Sequence, residues 1–108
     1  MEMTIQEVKQ LDKDSYQIID IRDDNEIAHG AIPGAVALKV EIAENPLVDK
    51  SKKLVICCSR GKYSQEVVPE LIEKGLDAVS LKGGYIAWLM DLMREDQEKD
   101  ISADVEKS

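Results

Sequence analysis

Short apolar runs alternate with helical segments along this chain of 108 residues. The runs at 17–21, 36–38, 53–57 and 78–81 have the length and composition of buried strands. A chain in which strands and helices alternate is expected to form a parallel sheet that is covered by helices on both faces. The alternation therefore predicts an α/β fold, in which sites form where strands end at their carboxyl side.

The helices are predicted from capping residues and from the spacing of apolar residues. Thr4 and Glu7 have the pattern of a capping box, which predicts a helix that starts after Thr4. Ser64 is predicted to cap a helix that reaches Lys74. The last helix is expected to begin at Tyr85. Its apolar residues recur at the spacing of one helical face: Ile86, Leu89, Met90 and Met93.

Composition and charge exclude several classes of protein. Hydrophobic residues make up 44% of the chain, which is enough for one compact domain with a core. The net charge of -8 argues against binding of nucleic acid by this domain alone and against attraction to anionic membranes. No apolar run approaches the roughly 18 residues of a membrane span, and the first ten residues lack the pattern of a signal peptide. The expected location is the cytoplasm.

The two cysteines, Cys57 and Cys58, are neighbours. Adjacent cysteines seldom pair with each other because the geometry is strained, so no disulfide is expected within the chain. With His29 as the single histidine, the chain has too few ligands for a Cys/His zinc site. Neither a metal nor another cofactor is expected, and both thiols are predicted to be free.

Cys58 lies where a predicted strand meets a short loop that contains Gly61 and leads into a helix. The first N–H groups of a helix and of a tight loop can all point at one anion, which favours a thiolate. Such settings lower the pKa of a cysteine from ~8.5 into the range of roughly 3.5 to 7.5. Arg60 and Lys62 add positive charge. The alternative is a cysteine that is only buried; Cys57, which faces the opposite side of the strand, fits that description.

Three segments together resemble the rhodanese family. In the loop, Cys58 is followed by Gly in the fourth position and Ser in the seventh, as in the family's active-site loop. The matches stand in the family's order and cover roughly residues 4 to 93. They are Asp20–Arg22 with Glu26 and Gly30–Ala35, then Cys58–Ser64, and then Lys82–Trp88.

The resemblance implies a rhodanese-like three-layer α/β/α sandwich with a five-stranded, mainly parallel central sheet. The domain is expected to span residues 1–93, followed by a charged tail at 94–108 that forms a frayed helix or a linker. The implied activity is that of a thiosulfate:cyanide-type sulfurtransferase. Cys58 would take sulfane sulfur from a small donor, such as thiosulfate or a persulfide, and pass it to a thiol or another nucleophile.

The resemblance also assigns roles to the residues around Cys58. The residues expected to bind substrate and persulfide are Ser59, Arg60, Gly61, Lys62, Tyr63 and Ser64. Asp20, Arg22 and Glu26 are expected to give structural support, with an ion pair between Arg22 and Glu26 and with Asp20 bonded to backbone. Many active members of the family have Arg where this chain has Tyr63. Because a phenol cannot hold an oxyanion bidentately, weak turnover of thiosulfate is expected.

Other functions stay open at this point. A Cys-dependent phosphatase or arsenate reductase would need an Arg at the end of its loop, where this chain has Tyr63. A non-catalytic interaction or regulatory module is the alternative outside the enzymes, although inactive rhodanese-like domains usually lack the cysteine. A protein that accepts the sulfur, or a fused sulfur-using domain beyond the charged tail, is a further hypothesis.

Overall fold

The chain folds into one parallel sheet with helices on both faces. The computed structural model describes residues 1–107, and the side chains of residues 1–97. The strands are β1 (Glu2–Met3), β2 (Tyr16–Asp20), β3 (Val36–Ala37), β4 (Lys53–Cys57) and β5 (Ala78–Leu81). The helices are α1 (Ile5–Lys9), α2 (Asp24–Ala28), α3 (Tyr63–Glu73) and α4 (Gly84–Lys107), with a 3₁₀ turn at Ile42–Glu44.

The five strands have the order β1-β5-β4-β2-β3, and every neighbouring pair is parallel. The predicted α/β fold with a five-stranded sheet is therefore confirmed. The sequence missed β1, which has two residues and pairs with the edge of β5. None of the helices in the part of the chain that the structure describes is long and apolar enough to cross a membrane.

The core has one half on each face of the sheet, and β4 contributes to both. Leu54 and Ile56 pack on the face covered by α3, whereas Val55 and Cys57 pack on the face covered by α1 and by the start of α4. This division follows from the pleat, because successive side chains of a strand point to opposite faces. Each fully buried aliphatic side chain stabilises the fold by about 1.5–3 kcal/mol. The central strand is thus fixed on both sides immediately before Cys58.

The predicted capping residues have different outcomes. The Thr4–Glu7 capping box is present at the start of α1. The prediction that Ser64 caps α3 is wrong: the helix begins at Tyr63, its N-cap is Lys62, and no side chain caps it. Ser64 lies inside the first turn with its side chain fully buried. Its hydroxyl therefore serves the loop and the sheet, instead of the end of the helix.

The apolar face predicted for α4 is exposed. Met90 and Met93 are exposed, whereas Trp88 packs on the core and Asp91 is buried. The Asp91 carboxylate decides this orientation, since it accepts hydrogen bonds from Gln6, Lys9 and Arg94 and so ties α4 to α1. The tail predicted at 94–108 stays a prediction, and the side chains of 98–108 lie outside the described residues.

Candidate active site

The Cys58 loop, which contains Gly61, packs against the turn formed by Gly83 and Gly84. Gly61 has a φ of +88°, and a Cβ there would lie 2.8 Å from the backbone nitrogen of Gly83. Gly84 has a φ of +61°, and a Cβ there would lie 2.3 Å from the carbonyl oxygen of Cys58. The two backbones therefore approach each other more closely than side chains would allow. This contact explains why the loop and the turn both contain glycine.

The start of α4 holds the carbonyl groups of the Cys58 loop. The Tyr85 amide donates to the Cys58 carbonyl oxygen at 2.8 Å, and the Ile86 amide donates to the Ser59 carbonyl oxygen at 3.2 Å. Because the first N–H groups of a helix have no partners within it, they are available for these bonds. Because its carbonyl groups are bonded to α4, the loop can direct the N–H groups of Gly61 and Ser64 toward the Cys58 sulfur.

Three hydrogen-bonding groups, two of them backbone amides, surround the sulfur of Cys58. The Gly61 amide lies 3.1 Å from Sγ, and the Ser64 amide and the Ser64 hydroxyl each lie 3.3 Å from it. Burial raises the pKa of the Cys58 thiol, since only 5% of the residue is exposed. The hydrogen bonds from Ser64, Gly61 and the Arg60 amide outweigh burial, so the pKa lies below its usual value.

Cys57 has the opposite environment. It is fully buried on the other face of the sheet, and its Sγ lies 3.5 Å from the Cys58 carbonyl oxygen. Burial raises the pKa of Cys57 to about 12. A thiol with this pKa stays protonated near neutral pH and is a poor nucleophile.

A pocket of about 350 Å³ opens at the Cys58 loop. This volume lies in the range of small-molecule sites. Of the loop residues predicted to bind substrate, Gly61 and Ser64 do not line the pocket; both are buried behind the sulfur. The residues that line the pocket belong to the Cys58 loop and its helix, and to the segment from the end of β2 to α2: Cys58, Ser59, Arg60, Lys62 and Tyr63, and Ile21, Arg22, Asp23 and Glu26.

The support beneath the pocket differs from the prediction. Arg22 pairs with Asp20, with 2.8 Å between Nη2 and Oδ2, and both side chains are buried. Its guanidinium also donates to the Gly30 carbonyl oxygen and lies 3.8 Å above the centre of the Tyr85 ring. The predicted ion pair between Arg22 and Glu26 is wrong, because α2 directs Glu26 to the Ser59 hydroxyl instead.

Two residues of the site were missed in the sequence. The Tyr85 ring covers Arg22, and the Ser80 hydroxyl lies 2.5 Å from the Ser64 hydroxyl. The signal for Ser80 was a single polar residue within the apolar run of β5. Among the described residues, no group of three or more His, Cys, Asp and Glu is arranged to hold a metal. The absence of a metal or cofactor remains an expectation.

Comparison with known proteins agrees with this architecture. The family profile named Rhodanese-like domain matches residues 4–91. The thiosulfate sulfurtransferase GlpE of Shewanella oneidensis is 40% identical over 84 residues, which cover 75% of this chain and 83% of that protein. The GlpE protein of Pseudoalteromonas translucida is 36% identical over 86 residues, which cover 77% and 82%. The crystal structure of a rhodanese-like domain protein from Staphylococcus aureus aligns with a TM-score of 0.69 at 35% identity. That alignment covers 81% of this chain and 89% of the other.

The parallel sheet, the Cys58 loop and these similarities define one class: the chain belongs to the rhodanese-like family. Within that family, it is related to proteins named as sulfurtransferases.

Proposed function

We propose that this protein carries sulfane sulfur as a persulfide on Cys58 and passes it to a thiol or another nucleophile. The observation that carries the proposal is the set of two backbone amides and one hydroxyl at 3.1 to 3.3 Å from Cys58 Sγ, all of which can donate to an ionised sulfur. A hydrogen bond to a charged group contributes roughly 1.5–3 kcal/mol, so a few such bonds suffice to keep a buried sulfur ionised. The persulfide is also an anion, and the same loop suits it.

The two chemical steps need no resident cofactor. The Cys58 thiolate attacks the outer sulfur of thiosulfate, the S–S bond of the donor breaks, and sulfite leaves with the bonding electron pair. Cys58 then holds the persulfide anion. In the second step, cyanide or a thiolate attacks the outer sulfur, and the Cys58 thiolate leaves. The charge balances in both steps, and no proton has to move when the attacking groups are already ionised.

The cations at the mouth of the pocket favour an anionic donor. Arg60 and Lys62 line the pocket, and neither forms an ion pair with any residue whose side chain the structure describes. The chain as a whole carries a net charge of -8. Salt screens exposed charges beyond about 8 Å at physiological ionic strength, so the charges that line the pocket matter more to a donor than the net charge of the chain. In that lining, three cations (Arg22, Arg60 and Lys62) outnumber two carboxylates (Asp23 and Glu26).

Intact-mass measurement after exposure to thiosulfate tests the proposal. The protein is expected to gain the mass of one sulfur atom, and cyanide is expected to remove it. The Cys58→Ser variant should show no gain, because it lacks the nucleophile. The Cys57→Ser variant is the matched control and should gain the sulfur, since Cys57 lies on the other face of the sheet. Sulfur that still adds to Cys58→Ser would refute the proposal.

Tyr63 is proposed to limit turnover of thiosulfate. It is the first residue of α3, lines the pocket and is 53% exposed. Tyr63→Arg is expected to raise thiosulfate:cyanide activity about tenfold or more, because a bidentate guanidinium adds charged hydrogen bonds to the donor. Steady-state assays of thiocyanate formation measure this. Tyr63→Phe is the control and should stay near the original rate; no gain in Tyr63→Arg would contradict the assignment.

The physiological donor and acceptor follow from the same pocket. Since Tyr63 replaces a residue suited to oxyanions, we propose a persulfide, of a small molecule or a protein, as the natural donor. A protein acceptor or a fused sulfur-using domain stays part of the proposal. A cytoplasmic location, where thiols such as Cys57 and Cys58 are kept reduced, is also part of the proposal.

Robust Cys58-dependent hydrolysis of p-nitrophenyl phosphate would instead favour a phosphatase.

A further inference from the structure

A line of three polar groups leads from the reacting sulfur into the sheet. The Ser64 hydroxyl oxygen lies 3.3 Å from Cys58 Sγ, and the Ser80 hydroxyl oxygen lies 2.5 Å from that of Ser64. Both serines are fully buried. Ser80 lies on β5, opposite Ile56 of β4, so it belongs to the sheet and not to the Cys58 loop.

The direction of the hydrogens in this line can be decided. In one arrangement, Ser80 donates to Ser64, and Ser64 donates to the Cys58 sulfur. In the other, the Cys58 thiol donates to Ser64, and Ser64 donates to Ser80. Ser64 is the one partner of the Ser80 hydroxyl among the described residues, so the second arrangement leaves the Ser80 hydrogen without an acceptor. A buried donor without a partner carries its full desolvation penalty, so the first arrangement is favoured once Cys58 is ionised and has no S–H of its own to pair.

We propose that Ser80 is a positioning residue, which fixes the Ser64 hydroxyl so that its hydrogen points at the sulfur of Cys58. The inference rests on the proposed function only for the role of Cys58 as the reacting atom. A thiolate has no hydrogen to give, so it needs this arrangement. Ser80 therefore supports the ionised form of Cys58 without touching it, through one intervening hydroxyl.

The backbone of β5 makes Ser80 suited to this role. Its amide donates to the Met1 carbonyl oxygen at 3.0 Å, and the strand pairs with β4 on its other side. Because its backbone is paired on both sides and its side chain is fully buried, the Ser80 hydroxyl has little freedom to turn away. In a buried chain of hydrogen bonds, each bond also polarises the next, so the bond from Ser80 strengthens the one that Ser64 gives to the sulfur.

The test measures the acidity of Cys58 by the pH dependence of its alkylation with iodoacetamide, followed by intact mass. Ser80→Ala is expected to lower the acid dissociation constant of Cys58 about two- to tenfold, which is typical for coupling within one hydrogen-bond network. Ser64→Ala should lower it roughly ten- to hundredfold, since it removes a direct bond to the charged sulfur. Ser80→Thr keeps a hydroxyl, so the pH dependence of Cys58 alkylation in this variant should match that of the unmodified protein. Ser15→Ala is the matched control, because that serine donates to the Asp12 carbonyl oxygen at an exposed turn.

The double variant separates this role from general packing. In the Ser64→Ala background, Ser80→Ala should have no further effect on the acidity of Cys58, because the intervening hydroxyl is gone. An unchanged profile in Ser80→Ala, or an equal shift in both backgrounds, would overturn the inference. Thermal unfolding of each variant confirms that the fold is kept. Alkylation requires no sulfur donor, so a failure of sulfur transfer to Cys58 would leave this result standing and would reject the proposed function alone.

Discussion

Gly84→Ala is expected to destabilise the protein by roughly 2–5 kcal/mol and to destroy the donor arrangement around Cys58. The added Cβ would lie 2.3 Å from the Cys58 carbonyl oxygen and 2.7 Å from the Ser59 carbonyl carbon, both backbone atoms. The φ of +61° adds strain for any residue other than glycine. Urea denaturation measures the loss of stability, and the alkylation profile of Cys58 should move to higher pH.

Gly34→Ala is the matched control for this variant. Gly34 also has a positive φ, +83°, but a Cβ there would meet nothing within 4 Å. Its substitution therefore carries only the conformational penalty, about 1–2 kcal/mol, and should leave the acidity of Cys58 unchanged. If the two variants lost equal stability and kept equal reactivity, the contact between Gly84 and the loop would not be what shapes the site.

Asp20→Ala is expected to cost about 3–5 kcal/mol, because it leaves the Arg22 guanidinium buried without its counter-ion. Domains of this size are stable by roughly 5–15 kcal/mol, so the variant would lose a large part of its stability. The pair stabilises the pocket as well as the fold, since Arg22 lines it and contacts the Tyr85 ring. A decrease in the urea midpoint measures the first effect, and weaker sulfur transfer from thiosulfate measures the second.

Asp77→Ala provides the comparison for Asp20→Ala. Asp77 pairs with Lys53 at 3.1 Å, but its side chain is 62% exposed. Exposed pairs contribute about 0–1 kcal/mol, so the urea midpoint of this variant should lie close to that of the unmodified protein. Equal losses in the two variants would show that burial of the Asp20–Arg22 pair does not set its contribution.

The elements that depend on local pattern could be predicted from the sequence. The runs at Lys53–Cys57 and Ala78–Leu81 form β4 and β5 with the predicted bounds, because buried strands leave continuous apolar runs. The capping box at Thr4 was also readable. The two residues of β1 were not, since a strand of that length has no pattern of its own and exists through its pairing with β5.

The elements that depend on contacts between distant segments could not be predicted. The buried face of α4 follows Asp91, whose partners Gln6 and Lys9 lie more than eighty residues away in the chain. The partner of Arg22 depends on how the turn after β2 packs, and spacing alone suggested Glu26. The loop around Cys58 was visible as a pattern, whereas the line from Cys58 to Ser80 requires the sheet. The catalytic and binding roles assigned to these residues remain predictions.

The pleat of β4 determines whether the two cysteines can react with each other. Cys57 and Cys58 are consecutive residues, yet their side chains lie on opposite faces of the sheet. Burial raises the pKa of Cys57 to about 12. If Cys58 carries a persulfide as proposed, the chain therefore offers no second thiolate that could discharge it by forming a disulfide. Such a sulfur would leave only with an external acceptor, because Cys57 stays protonated near neutral pH.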